Sequence, residues 1–505
     1  MIFIYLQKTR PRTHSKGFAR RPDALRTVAS MAAVLLLAGC AVGPDYVKPE
    51  SPDLHDYARQ LDTAATSSSQ ASPQADPKFW RMFDDPMLDR LIDSALVHNH
   101  DLRIAFANYQ QASALLRGAR YDQFPTITAD AQAGSARNSA DQAPGVSRSD
   151  RDHDQYEGNI GFSWELDLFG RVRRSVESQR AETSATANDF AAMQVAVVSE
   201  LVRTYWQLRG WQSQLRIAQE NSANQERTLD LLKLRLDSGT ATPFDVDRGQ
   251  TQLETTRSRI PPLQARVEVA THRIAVLIGE VPRVLADELE IPGELPALPK
   301  NFVVAAPSEL LRRRPDVAGA ERRLAAATAR VGVATADLFP RFTFGGLIGA
   351  QAFRADALFE RDSETRLVSL GVDGSFLNVG RIRARIAAAN AATAADLAAY
   401  ERTVLTAIEE TENALVGVNR TEQENAYLQH AAEASVRASD MAKLRFDQGS
   451  INVLELLDAE NARLLAQDAY IQSRARNTLA IVALYQAVAG GWGDYVPDAK
   501  IAGRQ

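Results

Sequence analysis

Two different periods divide this chain. Residues 171–236 contain no proline, and Val195, Val198, Val202 and Tyr205 step by 3, 4 and 3. Val404, Ile408, Leu415 and Val418 follow the same rule in a later stretch, with Thr411 filling the gap. Steps of three and four lay one apolar stripe along a helix. Sustained over about 65 residues, or roughly 100 Å of helix, the stripe predicts a coiled-coil rod. Gly239 and Gly449 stand where such helices would stop on a left-handed residue. Thr242-Pro243 then offers an N-cap and a first-turn proline, and Asn452 offers the matching cap. The pattern predicts two long helical hairpins.

Between the helical stretches the period falls to two. In 159–168, Ile160, Phe162, Trp164, Leu166 and Leu168 alternate with Asn159, Gly161, Ser163, Glu165 and Asp167. Val368, Leu370 and Val372 alternate with Ser369, Gly371 and Asp373, and two weaker alternations open at Pro125 and Pro340. These predict strands over 125–136, 157–169, 340–352 and 366–378, each about as long as a membrane-spanning strand. Trp164, Phe162, Phe342, Phe344, Leu370 and Phe376 are expected on the apolar face. Glu165, Asp167 and Asp373 are expected on the opposite, lumen-facing one. A soluble two-hairpin sheet covering a helix would show the same alternation.

The plan is stated twice. "KLRLDSGTATPFDVDRGQ" (233–250) aligns with "KLRFDQGSINVLELLDAE" (443–460) at an offset of 210, as does "FGRVRR" (169–174) with "VGRIRA" (379–384). "DQFPTIT" (122–128) aligns with "DLFPRFT" (337–343) at 215. Repeats this long read as two sub-domains. The first is expected over 79–300, with helices 79–124 and 171–278. The second is expected over 301–492, with helices 308–339 and 381–489, before a tail at 493–505. If the strands span a membrane, the expected class is mainly α with a transmembrane β-barrel. Four strands cannot close a barrel, and an open edge in lipid leaves backbone groups unpaired. Spanning strands must therefore be pooled between chains: eight from two chains fill their own interior, whereas twelve from three leave a lumen.

The N-terminus changes the picture. Seven bases precede an apolar run from Val28 to Gly39, which is too short to span and ends at Cys40, the sole cysteine in 505 residues. A lone thiol has no internal disulfide partner, which leaves a buried bystander, a nucleophile or a lipid site. The Leu37-Ala38-Gly39-Cys40 run resembles the lipobox of bacterial lipoproteins. That resemblance implies a signal peptide at 1–39, a covalent lipid on Cys40 and a lipid-anchored extended linker at 40–78; Ala41 resembles the pattern sorted to the outer membrane. Removing 1–39 moves the formal charge from −5 to −11, because seven bases and one acid leave. An acidic chain of this size is a poor nucleic-acid binder.

Together with the lipobox, the motifs "CAVGPDYVKP" (40–49), "FWRMFDDPMLDRLI" (79–92), "HNHDLRIA" (98–105), "SWELDLFGRVRRSVE" (163–177), "LLRRRPDVAGAERRLAAATARVGVATADLFPRFTF" (310–344) and "GSINVLELLDAE" (449–460) resemble outer-membrane efflux proteins of the TolC/NodT type. The resemblance implies a homotrimer with a 12-stranded barrel and a coiled-coil periplasmic tunnel. It implies a periplasmic adaptor and an inner-membrane RND transporter as partners, and a conduit for drugs or toxic compounds. Within it, Leu454 and Asp458 match positions of a periplasmic aperture. Phe244 and Arg248 are their counterparts at the 210 offset, beside Asp245 and Asp247. A ring of Asp458 would select cations, and Arg248 is the natural ion-pair partner for a closed state.

No other chemistry competes. His98 and His100 lie two apart on a helix and so face different ways, and no phosphate loop, HExxH or GxSxG occurs. No cofactor and no catalytic role are expected. Arg312, Arg313 and Arg314 read as a helix-start surface. Arg171, Arg173, Arg174, Arg381, Arg383 and Arg385 crowd helix starts, where the dipole disfavours cations; they read either as a solvated helix face or as a collar offset by phosphate headgroups at the inner face of the membrane. Two alternatives stay open: a conduit for metal cations or secreted polypeptides, and a lipid-anchored coiled-coil scaffold with no pore.

Overall fold

The computed structural model describes residues 41–50, 78–296, 311 and 313–488. The signal peptide, Cys40, most of the linker, residues 297–310 and the tail lie outside the described residues. The helices are α1 (Pro86–His98), α2 (His100–Tyr121), α3 (Arg171–Asp237), α4 (Pro243–Arg257), α5 (Ile260–Leu277), α6 (Ala286–Glu290), α7 (Pro315–Ala336), α8 (Val379–Asp447) and α9 (Val453–Val488). The strands are β1 (Thr126–Arg137), β2 (Asp152–Leu166), β3 (Arg341–Ala352) and β4 (Glu364–Asp373).

The chain forms two compact units. One gathers 110–185, 320–400 and the N-terminal segment 41–49; the other gathers 78–109, 186–296, 313–319 and 401–488. Each unit takes segments from both repeats, so the repeats are not separate sub-domains. The sheet shows why: two strands from each repeat pair into one ladder.

The first unit holds that sheet, in the order β1-β2-β3-β4 with every pair antiparallel. β2 begins at Asp152 rather than 157 and ends at Leu166 rather than 169. β4 ends at Asp373, because its carboxylate caps the 3-10 turn Gly374–Leu377 by accepting from Ser375 N at 2.9 Å. Phe376 therefore lies in that turn and not on the strand. Segment 41–49 is irregular but anchored. Val42 N donates to Phe169 O at 3.1 Å, and Tyr46 packs on Ala181, Ala325 and Ala326.

The second unit carries the main core, where Trp206, Tyr205, Leu201, Leu208, Ile274, Leu289 and Leu415 are almost fully buried. The predicted stripes are its seams: Val198, Val202, Tyr205, Val404, Thr411, Leu415 and Val418 are all buried. The expected helix 79–124 is broken twice, at Asp84 in a left-handed conformation and at Asn99. Asn99 accepts from the amides of Asp101 and Leu102 and donates to Leu277 O at 2.8 Å, so its side chain caps α2. Asp85 caps α1 and also accepts from Tyr205 Oη at 2.6 Å, which ties that helix start to α3. α4 and α5 are separate because Pro261 and Pro262 lack the amides that would continue the ladder.

Candidate functional site

Residues directly opposite in a ladder share a face, so the register sorts the sheet. Trp164, Phe344 and Leu370 form one row, Leu166, Phe342 and Val372 a second, and Ile127, Phe162, Gly346 and Val368 a third. A Cβ on Gly346 would lie 2.8 Å from the Phe162 ring, so only glycine lets that ring lie over the neighbouring strand. Phe162 and Phe344 meet at 5.4 Å between centroids, tilted by 59°. This apolar face is uncovered among the described residues: Val368 is 75 % exposed, Ile127 74 % and Leu370 65 %. The opposite face carries Glu165, Thr343 and Gly371, then Thr126, Ser163, Gly345 and Ser369, then Asp130, Asn159, Gly349 and Thr365. Leu347 and Leu367 are its apolar exceptions, opposite Gly161. Among the described residues, both β1 and β4 keep one edge without a partner strand.

The acidic positions differ in role. Glu165 lies on the polar face and accepts from Arg171 Nε at 2.8 Å and Nη2 at 2.5 Å. Asp167 lies past the end of β2 and is no strand residue. Its carboxylate accepts from Val172 N and Arg173 N at 3.0 and 2.9 Å, capping α3. Asp373 ends β4 as the turn cap already described. The same carboxylates answer the question of the helix-start arginines. Arg171 pairs with Glu165, Arg173 with Asp167, and Arg385 approaches Asp337 at 3.5 Å. Arg174 is buried among Asp45 at 2.6 Å, Glu177 at 2.8 Å and Val42 O. Protein carboxylates therefore offset Arg171, Arg173, Arg174 and Arg385. Arg381 and Arg383 are exposed.

In the other unit, the hairpin tips are built alike. Gly239 (φ 74°) and Gly449 (φ 71°) occupy the left-handed region, which glycine adopts at little cost. Thr240 N and Ser450 N each reach back to an arginine carbonyl, of Arg235 and Arg445, at 2.8 Å. Thr242 and Asp245 cap α4 reciprocally, and those bonds hold the Asp245 carboxyl below the usual carboxylate range. Asn452 Oδ1 caps α9 by accepting from Glu455 N at 3.0 Å. Leu232, Phe446 and Leu456 are buried beneath both tips, against Val246, Ile451 and Val453. Arg235 lies over the Phe446 ring at 3.9 Å and donates to its carbonyl.

The structure brings Arg248 and Asp458 together, Nη2 to Oδ1, at 3.9 Å. Phe244 is exposed, with the Arg248 guanidinium 5.8 Å from its ring, and Leu454 and Asp247 are exposed as well. Asp245 is committed to its cap. His98 and His100 do not converge; His98 Nδ1 sits 3.2 Å from Ser94 O, and His100 neighbours Arg103. Arg314 is buried rather than superficial. It donates to Asp316 at 2.7 Å, Glu410 at 2.6 Å and Ala487 O at 3.1 Å. Neither Arg174 nor Arg314 stands out in its arginine run, since Asp45, Glu410 and Ala487, which help to bury them, are distant in sequence. Arg312 lies outside the described residues.

Known proteins agree with this architecture. OprN, an outer-membrane channel of solved structure, is 39 % identical, with a TM-score of 0.82 over 90 % of this chain and 100 % of its own. The open state of the MtrE outer membrane channel of Neisseria gonorrhoeae is 25 % identical, with a TM-score of 0.77 over 90 % and 99 %. The solvent efflux pump outer membrane protein SrpC of Pseudomonas putida is 29 % identical over 474 residues, 92 % of this chain and 97 % of that one. The sequence model of the outer membrane efflux proteins matches residues 91–280 and 306–490. With both repeats matched, the chain belongs to the outer membrane efflux protein family.

Proposed function

We propose that three copies of this chain pool their sheets into one 12-stranded barrel, forming the outer-membrane channel of a tripartite efflux system. One observation carries the reading: a four-stranded sheet with an uncovered apolar face, a polar opposite face and two open edges. In lipid such edges must be paired, and pairing them between copies also sets the polar rows around a lumen. The energy comes from an inner-membrane RND transporter, coupled through a periplasmic adaptor. Relatives are named for solvent, toluene and antibiotic efflux, which supports small organic molecules as cargo. A lipid on Cys40 completes the anchor, just ahead of a segment that Arg174 and Glu321 fasten through Asp45 and Lys48. The tips, with Leu454, Asp458, Phe244 and Arg248, form the periplasmic aperture, and the Arg248–Asp458 pair favours its closed state. Native mass spectrometry of the detergent-extracted protein tests the assembly. Three chains support it, and a monomer or dimer as the sole species refutes it.

A further inference from the structure

The seam between α3 and α9 changes character about two turns in from the tips. Leu232 and Leu456 close its end as apolar partners. Beyond them, α3 presents Thr228, Gln225 and Asn221, and α9 presents Glu460 and Arg463. The spacing keeps each set on one helix face. These are not solvated positions: Glu460 and Thr228 are each 9 % exposed, Asn221 5 % and Gln225 4 %. Thr228 Oγ1 donates to Glu460 Oε1 at 3.1 Å, and Arg463 Nη2 donates to Asn221 Oδ1 at 3.4 Å. Four buried atoms of this seam have no partner among the described residues: Glu460 Oε2, Gln225 Oε1, Asn221 Nδ2 and Arg463 Nε.

A heptad seam of leucines would bury the same area without these orphans. A seam that keeps them is the weak line of the helical pack. Its balance turns on one proton. An ionised Glu460 offers only acceptors to a site where Gln225 Oε1 already lacks a donor. A protonated carboxyl becomes a donor and removes a buried charge.

We propose that Glu460 is a proton-operated latch between α3 and α9. With the proton on, it holds the seam shut; without it, the seam loosens beside the tips. The consequence for opening rests on reading those tips as the aperture.

The groups acting on Glu460 come from each packed element. Thr228 of α3 contributes a hydroxyl, Arg463 lies on α9 itself, and Lys443 lies on α8. Burial pushes the Glu460 carboxyl up, and the hydroxyl and the two cations only partly oppose it. Below the ordinary carboxylate range, seam and solvent forms are both neutral, and the closed seam is unpenalised. As pH rises, the released carboxyl ionises first. Closure then weakens progressively until the buried group also ionises. Each unit of upward shift weights opening by about tenfold across that window.

The test is hydrogen exchange on the full chain in detergent, followed by mass spectrometry over 456–467 and 218–232 from about pH 4 to about pH 8. After correction for the intrinsic pH dependence of exchange, the wild type should lose protection as pH rises through and above the ordinary carboxylate range. Glu460→Gln, which keeps the shape but cannot ionise, should stay protected throughout. Thr228→Val removes the hydroxyl donor and should move the wild-type midpoint upward. Protection that is flat in the wild type, or a pH response that survives in Glu460→Gln, overturns the latch. Because exchange needs no current, failure of the conduit reading would appear separately, as absent conductance.

Discussion

Phe162→Arg puts the sheet's orientation at risk. Phe162 lies on the uncovered apolar face, in a row with Ile127, Gly346 and Val368, its ring 5.4 Å from that of Phe344. An arginine on a lipid-facing strand costs about 2–4 kcal/mol near the midplane. The lost ring pair adds about 0.5–1.5 kcal/mol. Three copies in one barrel raise the total to about 8–16 kcal/mol, which matches or exceeds the stability of an ordinary domain. Assembly should fail. Ser163→Arg introduces the same charge one residue along, at nearly the same depth, on the polar face beside Gly345 and Thr126. Glu165→Gln removes only its pairing with Arg171, whose partly exposed partners contribute about 1 kcal/mol per chain. Both should assemble. The assay is heat-modifiable gel migration of protein from the membrane fraction. If Phe162→Arg and Ser163→Arg are tolerated equally, the sheet does not present this face to lipid.

Leu454→Ala combined with Asp458→Ala removes the apolar and charged constrictions together. With each lost surface pair contributing about 0.2–1 kcal/mol, three copies should raise resting open probability roughly threefold to a hundredfold, with weaker cation preference in single-channel recordings. Mass spectrometry of the N-terminal peptide should show acylated Cys40, and Cys40→Ser should lower membrane retention only modestly, since the proposed barrel would still anchor the chain. Arg314→Ala strands Glu410 and Asp316 and uncaps Ala487 O, so thermal unfolding should report about 2–4 kcal/mol of lost stability. Asp167→Ala removes two backbone caps from α3, and the same measurement should show about 1–2 kcal/mol.

The features legible in the sequence are those set by periodicity or by one backbone position. Strand alternation put Phe162, Trp164, Phe344 and Leu370 on one face because side chains alternate strictly along a strand. The tips were legible because Gly239 and Gly449 need left-handed backbone and are followed by capping residues. What stayed hidden depends on contacts distant in sequence. Arg174 meets Asp45 across 129 positions, and Glu460 meets Thr228 across 232. Neither pairing leaves a local pattern. Strand ends were misplaced for a local reason: Asp167 and Asp373 continue the alternation, yet a short carboxylate near a chain reversal satisfies backbone amides first. The interleaving of repeats escaped notice because duplication describes ancestry, whereas compact units follow which faces must be buried.

Passive conduction through the outer membrane can be read by planar-bilayer recording of the purified protein beside its Leu454→Ala, Asp458→Ala form. A gated conduit should give discrete, cation-preferring steps that are rare in the wild type and frequent in the variant. Stable insertion of both proteins with no conductance in either would contradict it and leave a membrane-anchored scaffold.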